Sequence, residues 1–325
     1  MFLIESNTTN PYFNIAAEEY LLKNFTEDFF VLYQNEPSII VGKHQNTLNE
    51  INYSFVKENN IPVIRRLSGG GTVYHDLGNL NFAFFKNTEN DKNTVDFKKH
   101  TEPIIKALNQ LGVNAKFEGH NDIRVNGLKV SGNAEHVFKK RVLHHGTLLF
   151  SSDLTVLNKS INAPVNKFID KAVKSVRSNV ANIQDFIDKK FSIDEFKKKL
   201  VQVVYSEFND VMPFTFNTAD LLEIQRLIEE KYSTWYWNYG YSPDYNYVSK
   251  ITIDNVLAEL FLEVEKGMIK KIRISGIKDN NLLENLLAGV KHDESIVRKT
   301  LIDSHYNYNM GLDIELIINA LFVNH

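Results

Sequence analysis

An Asn-Gly dipeptide between two alternating runs constrains the fold of this chain more than any other short feature. It lies in the stretch NDIRVNGLKVSGNA, residues 121–134. An Asn-Gly pair is the strongest short signal for a two-residue hairpin turn, so the stretch predicts a β-hairpin in which Val125 pairs with Leu128. The register of both strands then follows by counting outward from the turn.

The predicted hairpin has one apolar face and one polar face. The apolar positions are Ile123, Val125, Leu128 and Val130, and the polar positions are Asp122, Arg124, Lys129 and Ser131. Arg124 and Lys129 are predicted to lie opposite each other, although like charges across a strand pair are destabilising. The pair therefore indicates either a solvent-exposed surface or a bound anion. Asp122 beside the two cations favours a site where nucleotide phosphates react, with Asp122 as a candidate ligand of Mg²⁺.

A run of three glycines provides a second candidate site. It lies in RRLSGGGTVYHDLGN, residues 65–79. Consecutive glycines let backbone N–H groups approach a ligand closely, and Arg65 and Arg66 add positive charge beside them. The spacing matches neither a P-loop nor a Rossmann fingerprint. We predict a loop that binds phosphate or carboxylate, with a sharp turn between two strands as the alternative. Strand alternation predicts that only one of the two arginines faces the site.

Two adjacent histidines lie in a third strand-like stretch, RVLHHGTLLF, residues 141–150. In a strand, His144 and His145 point to opposite faces, so they do not share a metal ion. Because no third ligand is suitably spaced nearby, we do not predict a zinc site there. Gly146 permits the close approach of backbone or ligand. A hydrogen-bonded core histidine is the alternative interpretation for His145.

Composition restricts the class of protein. A chain of 325 residues predicts a core domain of about 200–250 residues with a smaller one beside it. The chain has no cysteine, which excludes disulfides, thiolate metal sites and covalent thiol mechanisms. Its formal charge of −3 creates no overall field that attracts nucleic acid or anionic membranes. The N-terminus lacks the pattern of a signal peptide, and no apolar run is long enough to span a membrane, so we expect a cytoplasmic protein.

Strand and helix patterns are mixed along the first part of the chain. Strands are predicted at residues 29–33, 38–42, 62–66 and 79–85. The last of these alternates, which predicts a half-buried strand with Leu80, Phe82 and Phe84 on its inner face. Asn10-Pro11 predicts the start of an amphipathic helix. Residues 94–111 predict another helix that ends at Gly112, with Pro103 indicating a kink or a later start.

The composition changes near residues 233–247, where STWYWNYGYSPDYNY is rich in aromatic residues, glycine and proline. We place a domain boundary there. The remaining residues contain one hairpin-like segment, LAELFLEVEKGMIKKIRIS, and several helical stretches. They are sufficient for a small α+β domain.

The motifs occur together and in a fixed order: RRLSGGGTVYHDLGN, NDIRVNGLKVSGNA, HHGTLLFSSDL, SVRSNVANI and WNYGYSPDYN. This series resembles the lipoate-protein ligases over essentially the whole chain. The resemblance implies an α+β fold with a biotin/lipoate ligase-like catalytic domain, residues 1–240, in which mixed sheets are flanked by helices. It also implies a small α+β accessory domain at residues 246–325.

The resemblance further implies a two-step reaction. Lipoate and Mg-ATP first give lipoyl-adenylate and pyrophosphate, and the lipoyl group then passes to a lysine of an acceptor protein. The expected acceptors are lipoyl domains of 2-oxoacid dehydrogenase acyltransferase subunits, the glycine-cleavage H protein, or both. We expect a monomer with neither nucleic acid nor membrane as a partner. The alternatives are a protein that binds lipoate or lipoyl-adenylate with little turnover, and a ligase for a different acyl substrate or partner.

The family's motifs also imply the site residues. Lys129 matches the catalytic lysine that contacts both the acyl carboxylate and the phosphate, and Asp122 is the candidate Mg²⁺ ligand. The residues assigned to ATP or lipoyl-adenylate binding are Arg66, Ser68, Gly69, Gly70, Gly71, Thr72, Val73, Tyr74, His75, Asn79, Asn121, Asp122, Lys129, Ser131, Gly132, His145, Gly146 and Thr147.

Two positions depart from the family pattern. His136 occupies a position where family members often carry arginine, so an anion contact there is expected to be weaker or to depend on pH. The sequence SGIKDN, residues 275–280, stands where the accessory domain usually has a G-D-F-F-like turn. These departures keep open a ligase that is specialised in its substrate or partner. The absence of cysteine disfavours the related octanoyl and lipoyl transferases, which use a cysteine thioester.

Overall fold

The computed structural model describes residues 1–88, 95–161, 167–253, 256–275, 281–305 and 313–322. The chain forms two compact units, each assembled from three segments. The first unit consists of Met1–Lys43, Pro62–Leu157 and Ser175–Ser233, and the second of His44–Ile61, Asn158–Lys174 and Thr234–His325. The functional division predicted between residues 240 and 246 stays a prediction. No helix in the described ranges is long and apolar enough to cross a membrane.

Strands and helices are interspersed along the chain. The strands are β1 (Phe2–Glu5), β2 (Phe29–Tyr33), β3 (Ser38–Val41), β4 (Val63–Arg65), β5 (Val73–His75), β6 (Asn79–Asn87), β7 (Ala115–Glu118), β8 (Asp122–Val125), β9 (Leu128–Phe138), β10 (Arg141–Leu149), β11 (Phe168–Asp170), β12 (Met212–Pro213), β13 (Tyr245–Ile253), β14 (Val256–Glu265) and β15 (Met268–Ile274). The α-helices are α1 (Pro11–Asn24), α2 (Thr47–Glu50), α3 (Tyr53–Glu58), α4 (Phe97–Gln110), α5 (Leu154–Ser160), α6 (Ile193–Glu207), α7 (Thr218–Leu227), α8 (Asn281–Leu287), α9 (Glu294–Asp303) and α10 (Ile314–Phe322). A 3₁₀ turn covers Ile183–Phe186, and π-helical turns cover Ile228–Tyr232 and Tyr236–Gly240.

The first unit is built on a mixed eight-stranded sheet in the order β12-β1-β2-β6-β10-β9-β8-β7. Strands β12, β1 and β2 run parallel, and the other neighbours are antiparallel. A second, three-stranded sheet has the order β4-β3-β5. The predicted α+β class with mixed sheets and flanking helices is therefore confirmed.

Strand β6 is buried on both faces. Phe82 and Phe84 pack in one core cluster with residues of α4 and α6, while Ala83 and Phe85 are buried as well. The prediction of a half-buried strand is wrong because helices cover both faces of β6, with α4 and α6 on the Phe82 side and α1 on the Ala83 side. The polar residues that create its alternation, such as Asn81, are buried rather than solvated.

Local sequence signals place both predicted helices of the first unit. Helix α1 begins at Pro11, and the Asn10 side chain accepts hydrogen bonds from the N–H groups of Tyr12 and Phe13. Helix α4 begins at Phe97, where Asp96 caps it, and continues through Pro103. Val95, which lies inside the predicted helix range of 94–111, precedes the cap and is exposed.

The second unit contains a four-stranded antiparallel sheet in the order β11-β13-β14-β15. The predicted hairpin forms between β14 and β15, and Lys266 and Gly267 at its turn have φ angles of 51° and 76°. Leu260, Leu262 and Ile272 of the sheet share a core cluster with residues of α8, α9 and α10. Residues 276–280 of the SGIKDN stretch lie outside the described residues.

Candidate active site

The Asn-Gly turn forms as predicted. Asn126 and Gly127 have φ angles of 50° and 79°, as a type I′ turn requires. Val125 pairs with Leu128, and Arg124 pairs with Lys129. The turn chemistry of two residues therefore sets the position of the predicted catalytic lysine.

One step beyond Lys129 the register shifts. Ile123 lies opposite Ser131, which leaves Val130 as an extra residue in β9. Such a bulge interrupts strict alternation. Ser131, which counting placed on the polar face beside Lys129, is fully buried, and its Oγ accepts a hydrogen bond from Asn133 Nδ2 at 3.3 Å. The predicted polar-face position of Ser131 is therefore wrong.

The Asp122 carboxylate lies between the two cations of the hairpin. Its Oδ1 is 2.8 Å from Lys129 Nζ, and its Oδ2 is 2.7 Å from Arg124 Nη2. Arg124 Nη2 also donates to Ser178 Oγ at 2.7 Å. Lys129 and Arg124 are therefore compensated by a carboxylate of the chain itself, and the like-charge pair alone does not require a bound anion.

The backbone of Lys129 is held from both sides. On one side it pairs with β8. On the other side the Lys129 N–H donates to the Asn179 carbonyl at 2.9 Å, and the Ala181 N–H donates to the Lys129 carbonyl at 3.0 Å. A Cβ on Gly132 would lie 3.0 Å from Lys129 Nζ, so glycine provides the room that the amine uses. The Lys129 side chain is 24% exposed. Its amine is thus accessible at the end of a fixed backbone.

The glycines of the run RRLSGGGTVYHDLGN serve different purposes. Gly70 has φ = +84°, a conformation that suits glycine. A Cβ on Gly71 would lie 3.0 Å from Ser175 Oγ, which accepts a hydrogen bond from the Thr72 N–H at 2.9 Å. A Cβ on Gly69 would meet no described atom within 4 Å. Backbone conformation therefore explains Gly70 and packing explains Gly71, but neither explains Gly69.

The Arg66 side chain shapes this run from within. Its Nη2 donates to the carbonyls of Gly69 and Gly71 at 2.6 and 2.8 Å, and its Nε donates to Ser68 Oγ at 2.9 Å. Burial lowers the Arg66 pKa to about 10, so the group is still charged at neutral pH. Arg65 points elsewhere, and its Nη1 donates to the carbonyls of Gly42 and Lys43. As predicted, only one of the two arginines lies on the glycine run.

A hydrogen-bonded chain connects Arg66 to helix α1. His145 Nε2 is 2.6 Å from Ser68 Oγ, and His145 Nδ1 is 2.8 Å from Glu18 Oε2. Tyr33 donates to the other oxygen of Glu18 at 2.9 Å. A carboxylate accepts from Nδ1–H, so Nε2 accepts from the Ser68 hydroxyl. Sequence reasoning missed Glu18; the signal was a pair of glutamates inside an otherwise apolar helix, both nearly fully buried.

His75 has a buried N–H group near the hydrogen-bonded series that links Arg66 to Glu18. Its Nδ1 is 3.0 Å from Asn35 Nδ2, an obligatory donor, so the ring proton is on Nε2. Burial lowers the His75 pKa to about 3, with Arg66 and His145 acting in the same direction. Nε2 is buried without a hydrogen-bond partner among the described residues. The same is true of Asn79 Oδ1, whose amide nitrogen donates to Asn81 Oδ1 at 2.8 Å.

The remaining predicted site residues mainly connect strands. Val73 and Tyr74 pair with β3, and burial raises the Tyr74 pKa to about 12. Thr147 Oγ1 accepts from the Gly132 N–H at 3.3 Å, and Asn121 Nδ2 donates to the Asn133 carbonyl. A Cβ on Gly146 would lie 2.3 Å from Asn133 Oδ1, so this glycine is explained by packing.

His136, the departure from the family pattern, is neutral at pH 7. Burial lowers its pKa to about 4, and the nearby charge of Lys43 contributes to this shift. A neutral imidazole offers an anion less attraction than the arginine it replaces.

The two adjacent histidines face opposite sides of the sheet, as predicted. His145 contacts Glu18 of α1, whereas His144 packs against Phe97 and His100 of α4. The prediction that no third ligand lies nearby is wrong. His100, Glu135 and His144 form a group able to hold a metal ion, and it is the one such group found in the described ranges. Glu135 and His144 are partners across β9 and β10, whereas His100 lies 35 residues before Glu135, so sequence spacing could not reveal His100 as the third ligand.

Comparisons with known proteins identify the family of this chain. The profile of the lipoyl protein ligase A/B catalytic domain matches residues 10–204. Lipoate–protein ligase 1 of Staphylococcus aureus is 40% identical over 328 residues, which cover 98% of this chain and 99% of that protein. Lipoate-protein ligase LplJ of Bacillus subtilis is 40% identical over 321 residues and 96% of each chain.

Solved structures share the architecture. A lipoate-protein ligase A bound with ATP has a TM-score of 0.64 at 28% identity, covering 74% of this chain and 98% of that one. A putative lipoate protein ligase from Thermoplasma acidophilum with bound lipoic acid has a TM-score of 0.63 at 28% identity, covering 73% and 98%. A bipartite lipoate protein ligase from the same organism, studied with its E2 lipoyl domain, has a TM-score of 0.64 at 27% identity, covering 74% and 96%. This chain therefore belongs to the lipoate-protein ligase family.

Proposed function

We propose that this chain is an ATP-dependent ligase that activates lipoate as lipoyl-adenylate and transfers the lipoyl group to a lysine of an acceptor protein. The observation that carries the proposal is the arrangement of Lys129, whose backbone is fixed between β8 and residues 179–181 while its amine is accessible beside Gly132. An ammonium group has three N–H donors, and Asp122 takes one of them. Lys129 can thus bind substrate anions while it stays oriented.

In the first step a carboxylate oxygen of lipoate attacks the α-phosphorus of ATP. A bond forms between that oxygen and phosphorus, the bond from the α-phosphorus to the bridging oxygen breaks, and pyrophosphate leaves. Two anions must meet, so a fixed cation between them offsets their repulsion and stabilises the charge that develops on phosphorus. We assign this role to Lys129.

The glycine run is our candidate for the nucleotide cradle. Gly69 faces open space and lacks a packing reason to be glycine. His75 Nε2–H and Asn79 Oδ1 are buried polar groups whose hydrogen-bonding capacity the described residues leave unused. A buried polar group gains free energy when a ligand supplies the missing partner. These three positions therefore support a ligand at this loop, and Arg66 acts by holding the loop in shape.

In the second step the amine of the acceptor lysine attacks the acyl carbon of lipoyl-adenylate. An amide bond forms, AMP leaves with the electrons of the broken acyl–oxygen bond, and the amine loses a proton. The nucleophile belongs to the acceptor, so a chain without cysteine is chemically sufficient.

Mg²⁺ is the expected companion of ATP, and Asp122 was the predicted ligand. Both oxygens of Asp122 contact cations, Lys129 and Arg124. Asp122 fits Mg²⁺ poorly in this arrangement, because the metal would have to displace one of them. Mg²⁺ commonly binds through substrate phosphates and water. We therefore assign Asp122 to the orientation of Lys129 and derive no step through the metal.

Lipoyl domains of 2-oxoacid dehydrogenase acyltransferase subunits are the acceptors we propose, with the glycine-cleavage H protein as a further one. The support is the likeness to a ligase studied with its E2 lipoyl domain. We also propose that the protein acts as a monomer in the cytoplasm.

The test is incubation with ATP, Mg²⁺, lipoate and purified lipoyl domain or H protein, followed by intact mass and pyrophosphate assay. The wild type is expected to add one lipoyl group to an acceptor lysine, and Lys129→Ala to release almost no pyrophosphate. Lys116→Ala is the matched control because Lys116 is an exposed lysine on β7 opposite Arg124. Pyrophosphate release without acceptor modification would indicate a different partner. Binding of lipoate without either product would favour a binding protein.

A further inference from the structure

We propose that His100, Glu135 and His144 form a site for a zinc-like divalent transition metal, separate from the ligase site. His100 comes from α4, Glu135 from β9 and His144 from β10. Glu135 Oε1 is 2.8 Å from both His100 Nδ1 and His144 Nδ1. One ligand atom from each residue therefore lies within 4.8 Å of the others.

The donor set suits this class of metal. Two imidazole nitrogens and one carboxylate oxygen are ligands that Zn²⁺ and its neighbours prefer, whereas Mg²⁺ prefers oxygen alone. Zn²⁺ needs about 2.0–2.2 Å to each atom, which separates neighbouring ligand atoms of a tetrahedron by about 3.4 Å. The observed 2.8 Å separations reach that value by small side-chain shifts. The metal would take the place of the two protons now shared with Glu135.

The cluster lies mainly in the interior of the protein. The side chains of Glu135 and His144 are 1% and 0% exposed, and His144 Nε2 has no hydrogen-bond partner in the described part of the chain. A metal bound at the two Nδ1 atoms would leave this Nε2 atom as it is, so the case for the metal rests on the three largely buried donor groups that converge at Glu135.

The position of the cluster separates it from lipoate activation. His144 points to the α4 side of the sheet, while its neighbour His145 points to Ser68 and Glu18. His100 also lines a cavity of about 620 Å³ together with Lys99, Pro103 and Phe208. This cavity meets the cluster at His100, which is the side from which a hydrated ion would approach.

Metal binding would fasten the start of α4 to the sheet. His100 lies in the first turn of that helix, and the Asp96 N–H at its cap donates to Glu135 Oε2 at 3.1 Å. A ligand that binds only the folded state adds to its stability in proportion to ln(1 + [L]/Kd). We expect Zn²⁺ to raise the melting temperature of the wild type.

The test uses tag-free, chelator-treated full-length protein, because a histidine tag or exposed histidines such as His120 also offer weak sites. Zn²⁺ affinity is measured by titration calorimetry, and Co²⁺ coordination by visible d–d absorption. His100→Gln and Glu135→Gln remove ligands, and His120→Gln is the matched control, since exposed His120 contacts the same Phe97 ring but lies outside the cluster. Circular dichroism verifies folding.

The expected result is one Zn²⁺ per chain with a four-coordinate Co²⁺ spectrum. His100→Gln and Glu135→Gln should weaken binding by at least about 100-fold, more than the loss of an outer-shell partner does. His120→Gln should bind like the wild type. Absence of a stoichiometric site in the wild type overturns the proposal, as does equal affinity in His100→Gln. If Glu135→Gln fails to fold, His100→Gln decides, since His100 is the most exposed of the three.

Discussion

The two cations assigned to the active site, Arg66 and Lys129, are held in opposite ways. Arg66 is nearly fully buried, and its hydrogen bonds go to Ser68 and to the carbonyls of Ile40, Gly69 and Gly71. Lys129 is partly exposed, and its amine has one carboxylate partner, Asp122. A guanidinium with a rigid fork of donors suits the first role, and a compact ammonium suits the second.

This difference separates shaping a site from acting in it. Arg66 donates four hydrogen bonds to the protein, so it sets the path of the glycine run and the position of the N–H groups in that run. Asp122 uses only part of the hydrogen-bonding capacity of Lys129, so the ammonium group can also contact a substrate anion. Mutations at the two positions should therefore change different measurable quantities.

The largest effect is expected for Lys129→Ala on the rate of adenylate formation. We expect kcat/KM to fall by about 10²–10³-fold, the usual loss when one donor to a developing charge is removed. The free energy of unfolding should change by less than about 0.5 kcal/mol, because the side chain is partly exposed and in a single ion pair. Pyrophosphate release and urea unfolding measure the two quantities. A large loss of stability with an unchanged rate of pyrophosphate release would show that Lys129 supports the structure and does not act in the reaction.

Arg66→Ala should mainly affect stability. Removing this buried guanidinium leaves the carbonyls of Gly69 and Gly71 without their donor, so we expect the free energy of unfolding to fall by about 3 kcal/mol. Arg226→Ala is the control, since Arg226 is exposed and its ion pairs are screened by solvent, so the urea midpoint should stay close to that of the wild type. Equal urea midpoints for the two variants would show that Arg66 does not support the loop.

The stability of the buried region around Arg66 and His75 should also depend on pH. The His75 pKa falls from its ordinary 6.5 to about 3 because of burial. The unfolded chain therefore binds a proton more readily, and the contribution of His75 to stability is lost as pH falls from about 6.5 toward 3. Each proton that the unfolded chain binds in excess changes the free energy of unfolding by up to about 1.4 kcal/mol per pH unit. His75→Asn should reduce the slope in urea unfolding at several pH values, and exposed His120→Asn should leave it unchanged.

The smallest effects are expected within the glycine run. Gly71→Ala should cost about 1 kcal/mol of stability, because the new methyl group would lie 3.0 Å from Ser175 Oγ. Gly69→Ala should leave stability within about 0.5 kcal/mol and weaken ATP binding by roughly tenfold, or about 1.4 kcal/mol. Unchanged ATP affinity in Gly69→Ala would place the nucleotide elsewhere.

Sequence reasoning succeeded where the chemistry is local. The Asn126-Gly127 turn sets its own φ angles, so the position of Lys129 followed from counting. Counting failed at Val130, because a bulge depends on what the neighbouring strand and the core require. Polar residues of β6 such as Asn81 were misread as solvent-facing, because a buried asparagine and an exposed one look alike in sequence.

Contacts between residues that are far apart in the sequence also limited what could be predicted from it. The His145–Glu18 contact joins residues 127 positions apart, and the Glu135 cluster joins β9 to residues of α4 and β10. Sequence spacing predicts neither the Glu18–His145 contact nor the approach of His100 to Glu135, although two adjacent glutamates between apolar residues of α1 were a visible signal. The family resemblance supplied Lys129, but it did not reveal Glu18 or His100.

The interleaving of the two units has a consequence for synthesis on the ribosome. The first unit is incomplete until Ser233, and β1 at the N-terminus waits for Met212 of β12, its second parallel partner after β2. The earliest segment of the second unit, His44–Ile61, waits for residues after Thr234. At about 5–20 residues per second, neither core can close for roughly 10–50 s after synthesis begins. During that time helices such as α1 must stay unaggregated, so a nascent-chain chaperone should matter more for this chain than for one whose units are consecutive.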